Sequence, residues 1–320
     1  MHPISELPVL ILAYNRFEKF KRCINTLEEQ GIKNIFISVD GPRNKYDMDI
    51  QKKIFQFCKN DKLDLKLEIN FLHQNKGCRI APLKGISWFL KRNQYGIILE
   101  DDVILSKKCI ETFSTLLQDY FHRKDYISLS SFNEFTEKKI ESIYALPVWR
   151  SWGWATWSHK WEKYIEFKKE IEKYSLWEIY NLLPLEFRSI ETAKIIKSCQ
   201  LNLLDAWDYE FNLYHLLKES YSLTLGGINN YVYGFDETAT HTTSVDNCGI
   251  DFSLFKEREI DFNNINILSN ENIFLTLNKC GFNIIKNKNY FGYVYDYLKN
   301  IYYSFIFLLR ILKRIIYKRL

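Results

Sequence analysis

Glycine and proline are scarce in this 320-residue chain, 12 and 6 in all, whereas hydrophobic residues make up 47% and aromatics 16%. Few chain breakers beside so much apolar surface exclude a linker-rich or disordered protein. The length suits one large α/β domain or two smaller ones. No Gly-x-Gly-x-x-Gly and no P-loop occurs, so a dinucleotide or ATP cradle is not indicated. The seven cysteines (23, 58, 78, 109, 199, 248 and 280) are odd in number and lack metal-site spacing. They fall mostly in apolar periodic segments, as reduced core cysteines do, which points to a reducing cytoplasm. The first apolar run, Pro8–Tyr14, has neither a basic leader nor a small-residue cleavage site and reads as a strand rather than a secretory signal. The overall charge of +5 is concentrated in residues 286–320, where eight cations face only Asp296. That net +7 leaves residues 1–285 at −2, without the basic surface that nucleic acid requires.

What the chain does have is an alternation of strand and helix patterns over its first 130 residues. Pro8–Tyr14 and Ile35–Val39 read as buried strands, and Leu65–Leu72 as a less buried one. Between them Phe17, Phe20, Ile24 and Leu27, then Ile50, Ile54 and Phe57, recur at helical spacing. Leu83, Ile86 and Leu90 mark a helix with Pro82 near its start, and Ile110, Phe113, Leu117 and Tyr120 another before a short strand at Tyr126–Ser131. Strands separated by helices predict right-handed crossovers and a mostly parallel sheet. Two long helix-poor loops are expected further on.

The central feature is Gly96–Ser106, where Ile97-Ile98-Leu99 ends in Glu100-Asp101-Asp102 and apolar Val103-Ile104-Leu105 follows at once. Three adjacent carboxylates at the mouth of a hydrophobic strand repel one another and lose hydration, which raises their pKa values. A hard divalent cation, Mg²⁺ or Mn²⁺, relieves that conflict. The first strand ends in Asn15-Arg16 and the second in Asp40-Gly41-Pro42-Arg43. In an open α/β sheet all three ends lie where ligands bind: an Arg suits a diphosphate, an Asp a base or ribose.

These motifs, Val9–Arg16, Ser38–Arg43, Asn75-Lys76-Gly77-Cys78 and Ile98–Asp102, resemble in their order the nucleotide-sugar glycosyltransferases of the GT-A fold. The likeness is to bacterial family-2-like enzymes and to N-acetylglucosaminyltransferases with a Glu-Asp-Asp version of the Asp-x-Asp motif, over about residues 8–250. The resemblance implies a GT-A catalytic domain at 1–262, with a nucleotide-binding half at 1–131 and an acceptor half at 132–262. It implies a UDP-sugar donor, a glycan or lipid-linked acceptor and a place in bacterial surface polysaccharide synthesis. By the same token Asp102 holds the metal, Glu100 and Asp101 hold the nucleotide and its network, and Arg16 and Asp40 lie against diphosphate and nucleoside, with Arg79 a further donor contact.

Trp149–Trp157 packs four tryptophans around Gly153. Trp149 and Trp157 suit the core, whereas Trp152-Gly153-Trp154 matches a Gly-Trp loop beside the donor sugar in the resembled enzymes, with Gly153 allowing a ligand close. Leu204–Glu210 opens a helix: Asp205 is a candidate N-cap, and Asp208, after Trp207, resembles the carboxylate that deprotonates the acceptor in inverting enzymes, with Asp205 the alternative base. His241 falls where several GT-A enzymes complete the metal site. Residues 263–320 read as an extension whose end, 296–320, forms a basic amphipathic helix for an anionic membrane surface, placing the protein at the inner face of the cell membrane. A nucleotidyltransferase or a non-catalytic nucleotide-sugar scaffold is the alternative.

Overall fold

Strands that carry consecutive apolar residues need cover on both faces, and this chain supplies it. The computed structural model describes residues 3–59, 63–132, 142–184, 188–218, 220–227, 229–233 and 261–267. The first part runs β1 (Val9–Ala13), α1 (Phe17–Glu29), β2 (Asn34–Val39), α2 (Lys45–Cys58), β3 (Lys66–Phe71), α3 (Gly77–Leu90) and β4 (Tyr95–Glu100). After β4 come β5 (Val103–Leu105), α4 (Lys107–Asp119), β6 (Tyr126–Ser130), β7 (Ser142–Leu146) and β8 (Trp154–Trp157). The remainder is α5 (Ser158–Ile171), α6 (Leu176–Leu182), α7 (Ile190–Gln200), α8 (Asp208–Leu217), β9 (Tyr221–Leu225), β10 (Asn230–Val232) and β11 (Asp261–Ile267).

Nine strands form one sheet in the order β11-β7-β9-β6-β8-β4-β1-β2-β3, and β5 pairs with β10 in a small antiparallel sheet. Pairings within β3-β2-β1-β4 are all parallel, as the strand–helix alternation predicts. The expected α/β class with a mostly parallel central sheet is therefore what forms. The departures are β8, antiparallel to both β4 and β6, and β7, antiparallel to β9. β8 begins at Trp154, the last residue of the expected Trp152-Gly153-Trp154 loop.

Alternation along each strand sorts the core. Val9, Ile11, Ile97 and Leu99 pack in one cluster with Phe20, Ile24 and Leu27 of α1 and Ile110, Phe113 and Leu117 of α4. Leu10 and Ile98 point the other way, among Ile86 and Phe89 of α3, Trp161 of α5 and Phe211 of α8. The stretch after β8 contains α5, α6 and α7, and in α5 Trp161, Tyr164, Phe167 and Ile171 recur at helical spacing on a buried face. Cys23, Cys109 and Cys199 are buried free thiols, in keeping with the reduced state expected. His241 and the 296–320 helix lie outside the described residues. Among the described residues no helix is long and apolar enough to cross a membrane.

Candidate active site at the carboxyl end of the sheet

Parallel pairing brings the polar strand ends to one edge. Leu12 stands opposite Glu100 and Ala13 opposite Val39, so Tyr14–Arg16, Asp40 and Glu100–Asp102 emerge at the same level. The three-residue turn from β1 into α1 leaves Arg16 facing the acids. Its guanidinium forks across two of them: Nη1 donates to Asp102 Oδ2 at 2.6 Å and Nη2 to Asp101 Oδ1. The backbone N–H of Tyr14 adds a longer contact to Asp101 Oδ2 at 3.4 Å. Asp101 and Asp102 are 1% and 5% exposed, so both are charges kept from water.

One cation does not balance three carboxylates. Burial, then the charge of Asp102, pushes the Glu100 carboxyl up to about 8 against the opposing Arg16, with smaller contributions from Asp101 and Asp208. Burial also pushes Asp101 up to about 6, with Arg16 pulling the other way. Burial works against the charge on the Arg16 guanidinium, but its acidic neighbours outweigh that and hold it still more firmly protonated. Asp102 Oδ1 is buried and accepts no hydrogen bond. An orphaned oxygen within an excess of negative charge fits a divalent cation. Among the described residues no three His, Cys, Asp or Glu side chains are grouped to hold a metal. Asp102, with that unpartnered oxygen, is the residue of this edge that would hold one.

Asp40 lies at this edge, but its carboxylate is already saturated by the chain. Oδ1 accepts from the N–H groups of Gly41 (2.8 Å) and Lys76 (2.9 Å), and Oδ2 from Asn75 Nδ2 (2.9 Å) and the Gly77 N–H (3.0 Å). It fastens the turn before α3 to the end of β2. Arg79, expected as a donor contact, is 4% exposed with its guanidinium turned to Asn202 (3.2 Å), Glu172 (3.2 Å) and Glu210 (3.4 Å). Burial selects that arrangement, since an interior guanidinium needs acids beside it.

Trp154 is corrected to a core residue. It is 1% exposed, its ring centroid 4.8 Å from that of Trp149 and 5.8 Å from that of Trp207. Pairing of β8 with β4 turns its side chain to the interior. Trp149 and Trp157, expected in the core, are there. Trp152 is half-buried against Phe132, with ring centroids 5.4 Å apart. Gly153 has φ +78°, and a Cβ there would meet Leu105 Cδ2 at 2.5 Å. It makes room for Leu105 rather than for a ligand.

Asp208 is the first residue of α8, half-buried and close enough for its charge to be felt at Glu100. Asp205 does not cap its own helix. Its Oδ2 and Oδ1 accept the N–H groups of Cys78 (2.9 Å) and Arg79 (2.6 Å) at the start of α3.

Two elements of the site escape the motif analysis. Asp47, 1% exposed, accepts from the Tyr14 hydroxyl, from Asn15 Nδ2 at 2.7 Å and from the Arg43 N–H at 3.0 Å, tying both strand ends to α2. Its only sequence signal is the Asn44-x-x-Asp47 spacing, with Asn44 capping α2 through the Asp47 N–H at 2.9 Å. Tyr233 donates its N–H to the Asp102 carbonyl at 2.8 Å, and the Arg22 guanidinium lies 3.8 Å above its ring. The β10 strand thereby ends beside the acids, a proximity that only the β5–β10 pairing creates.

A sheet covered on both faces, with acids gathered beyond the carboxyl ends of its central strands, is the arrangement in which open α/β sheets bind ligands. Residues 9–176, just over half of the chain, match the family "Glycosyl transferase family 2". The chain belongs to glycosyl transferase family 2, and its class is that of the glycosyltransferases, as the motifs imply. A search of curated proteins finds no match. Similar solved structures include the mannosyltransferase PcManGT from Pyrobaculum calidifontis in complex with GDP-Man and Mn²⁺, at 11% identity and a TM-score of 0.35, covering 51% of this chain and 46% of that one. HddC from Yersinia pseudotuberculosis is 13% identical, with a TM-score of 0.30 and coverage of 50% and 79%. The galactosyltransferase LgtC in complex with donor and acceptor sugar analogs is 9% identical, with a TM-score of 0.37 and coverage of 68% and 73%. This chain thus spans less than half the length of the mannosyltransferase.

Proposed function

We propose that the protein moves a sugar from a nucleotide-sugar donor, a UDP-sugar, to a hydroxyl of a glycan or lipid-linked acceptor, inverting the anomeric centre. The observation that carries this reading is the acid excess at the end of β4, with Asp102 Oδ1 unpartnered beside a clamped Arg16. A divalent cation, Mn²⁺ or Mg²⁺, bound at Asp102 supplies charge neutralisation to the donor diphosphate. Arg16, on the same edge, binds and orients that diphosphate. Glu100 and Asp101 shape the negative field around it, and Asp40 keeps the strand end and the α3 turn in place to receive the nucleoside.

Asp208 takes the acceptor proton as general base. Asp205 is the weaker candidate, because both its oxygens already accept backbone N–H groups. Trp152, half-buried at the mouth of β8, is the ring of its motif left to meet a sugar. His241 as a further metal ligand, and 296–320 as the attachment to the inner face of the membrane, belong to the same proposal. So do the N-acetylglucosaminyltransferase likeness and the role in surface polysaccharide synthesis.

The test is incubation of the full chain with Mn²⁺ and a panel of nucleotide sugars, with thermal shift identifying the donor. Free nucleoside diphosphate, formed with acceptor-dependent transfer, is the expected product. Pyrophosphate from a nucleoside triphosphate and a sugar phosphate would establish a nucleotidyltransferase instead. Binding with no turnover of either kind would leave a scaffold.

A further inference from the structure

Around Asp208 the chain is pinned at three points, each to a different part of the protein. Asp205 holds the N-terminus of α3 through the Cys78 and Arg79 N–H groups, where the helix dipole favours a carboxylate. Gly77 makes that approach possible: its φ is +76°, and a Cβ on it would stand 2.6 Å from Asp205 Oδ2. Trp207 is 6% exposed, sunk among Trp149 and Trp154. Glu210, wholly buried, accepts from Arg79 Nη2 at 3.4 Å and lies 3.5 Å from Lys168 Nζ. Arg79 is therefore gripped twice, by its backbone through Asp205 and by its guanidinium through Glu210.

These anchors decide where the start of α8 lies. Asp208 follows Trp207 as the first, half-buried residue of α8, and the α3 turn that Asp205 holds is itself fastened to Asp40 at the end of β2 through the Gly77 N–H at 3.0 Å. The start of α8 is thereby tied to the carboxyl edge of the sheet.

We infer that Asp205 and the Arg79–Glu210 pair are positioning residues, fixing the start of α8 so that Asp208 is held where the acceptor hydroxyl is to be met. The inference rests on the reading of Asp208 as the base. A base displaced by an ångström loses rate by up to about a hundredfold without any change in donor binding.

The test uses Asp205→Ala and Asp205→Asn in the full chain, each alone and combined with Asp208→Asn, with kcat, donor KM, single-turnover rates and amide hydrogen exchange measured. Asp205→Ala is expected to lower kcat at least tenfold at unchanged donor KM, and Asp205→Asn, whose amide oxygen still accepts one N–H, to recover part of it. In the Asp208→Asn background, Asp205→Ala should cause no further loss. Exchange at the first amides of α8 should quicken in Asp205→Ala while that of β1 and β4 stays unchanged. Equal kcat losses in both backgrounds, an unchanged kcat, or unaltered α8 exchange would overturn the inference. Wild-type turnover by Asp208→Asn would remove the base reading instead, and the exchange result would still decide whether the clamp exists.

Discussion

Two groups of paired charge, each partly buried, lie at the same end of the sheet, and they do opposite things. Arg79, Lys168, Glu172 and Glu210 match two cations with two acids between α3, α5 and α8. Among the described residues Arg16 is the one cation paired with the acids of Glu100, Asp101 and Asp102. Both groups contain unpartnered atoms, Glu210 Oε1 and Arg79 Nε in one and Asp102 Oδ1 in the other. A missing hydrogen bond therefore does not distinguish a site from a strut; charge balance does. The balanced group is complete within the protein and acts as internal bracing, whereas the group with excess acid is where the proposed function places a cation from outside.

The largest expected effect breaks that contrast at its acidic end. Asp102→Asn should lower transfer by about a thousandfold or more, several kcal/mol of lost charge stabilisation, and abolish the thermal shift with Mn²⁺ and nucleoside diphosphate. Its circular dichroism should stay that of the parent, since Arg16 keeps Asp101 as a partner. Next, Asp208→Asn should lower kcat by about 10² to 10⁴ while nucleotide affinity, measured by calorimetry, is retained.

At the balanced group the readout moves from rate to stability. Glu210→Gln leaves Arg79 and Lys168 in excess and should cost about 3 kcal/mol in urea unfolding, whereas Arg79→Met with Glu210→Leu together should cost less than the sum of the single changes.

The smallest effect concerns Asp47. Burial alone would raise its carboxyl, but hydrogen bonds from Tyr14, Asn15 and Arg43 hold it down to about 2. The unfolded value is about 4. A depressed folded pKa stabilises the protein fully above pH 4 and loses that contribution as pH falls toward 2, so stability should drop across that window. Water screens the exposed Arg43 partner, which trims the contribution. Asp47→Asn should flatten the drop by about 1 kcal/mol, seen in urea midpoints taken from pH 5 to 2.

The acidic triplet was legible because it joins two local signals, a strand dry on both faces and charges that such a strand cannot absorb. Arg16 and Asp40 were legible as strand ends, though only the contacts show that the Asp40 lone pairs are already engaged by residues 75–77. Arg79 and Trp154 were misplaced for one reason: a motif fixes the position of a backbone, whereas the direction of a side chain depends on what packs behind it. For Trp154 that is Trp149 and Trp207, and for Arg79 it is Glu210, 131 residues further along the chain.

Sequence by itself determined the α/β class, the parallel pairing of the first strands and the location of the acids at a strand end, because hydrophobic period and strand ends are properties of neighbouring residues. Tertiary structure decided which carboxylates remain available and which are spent on the fold. Asp40, Asp47 and Asp205 find their partners across gaps in the chain, and a lone pair's occupancy is set by contacts between segments that no local pattern records.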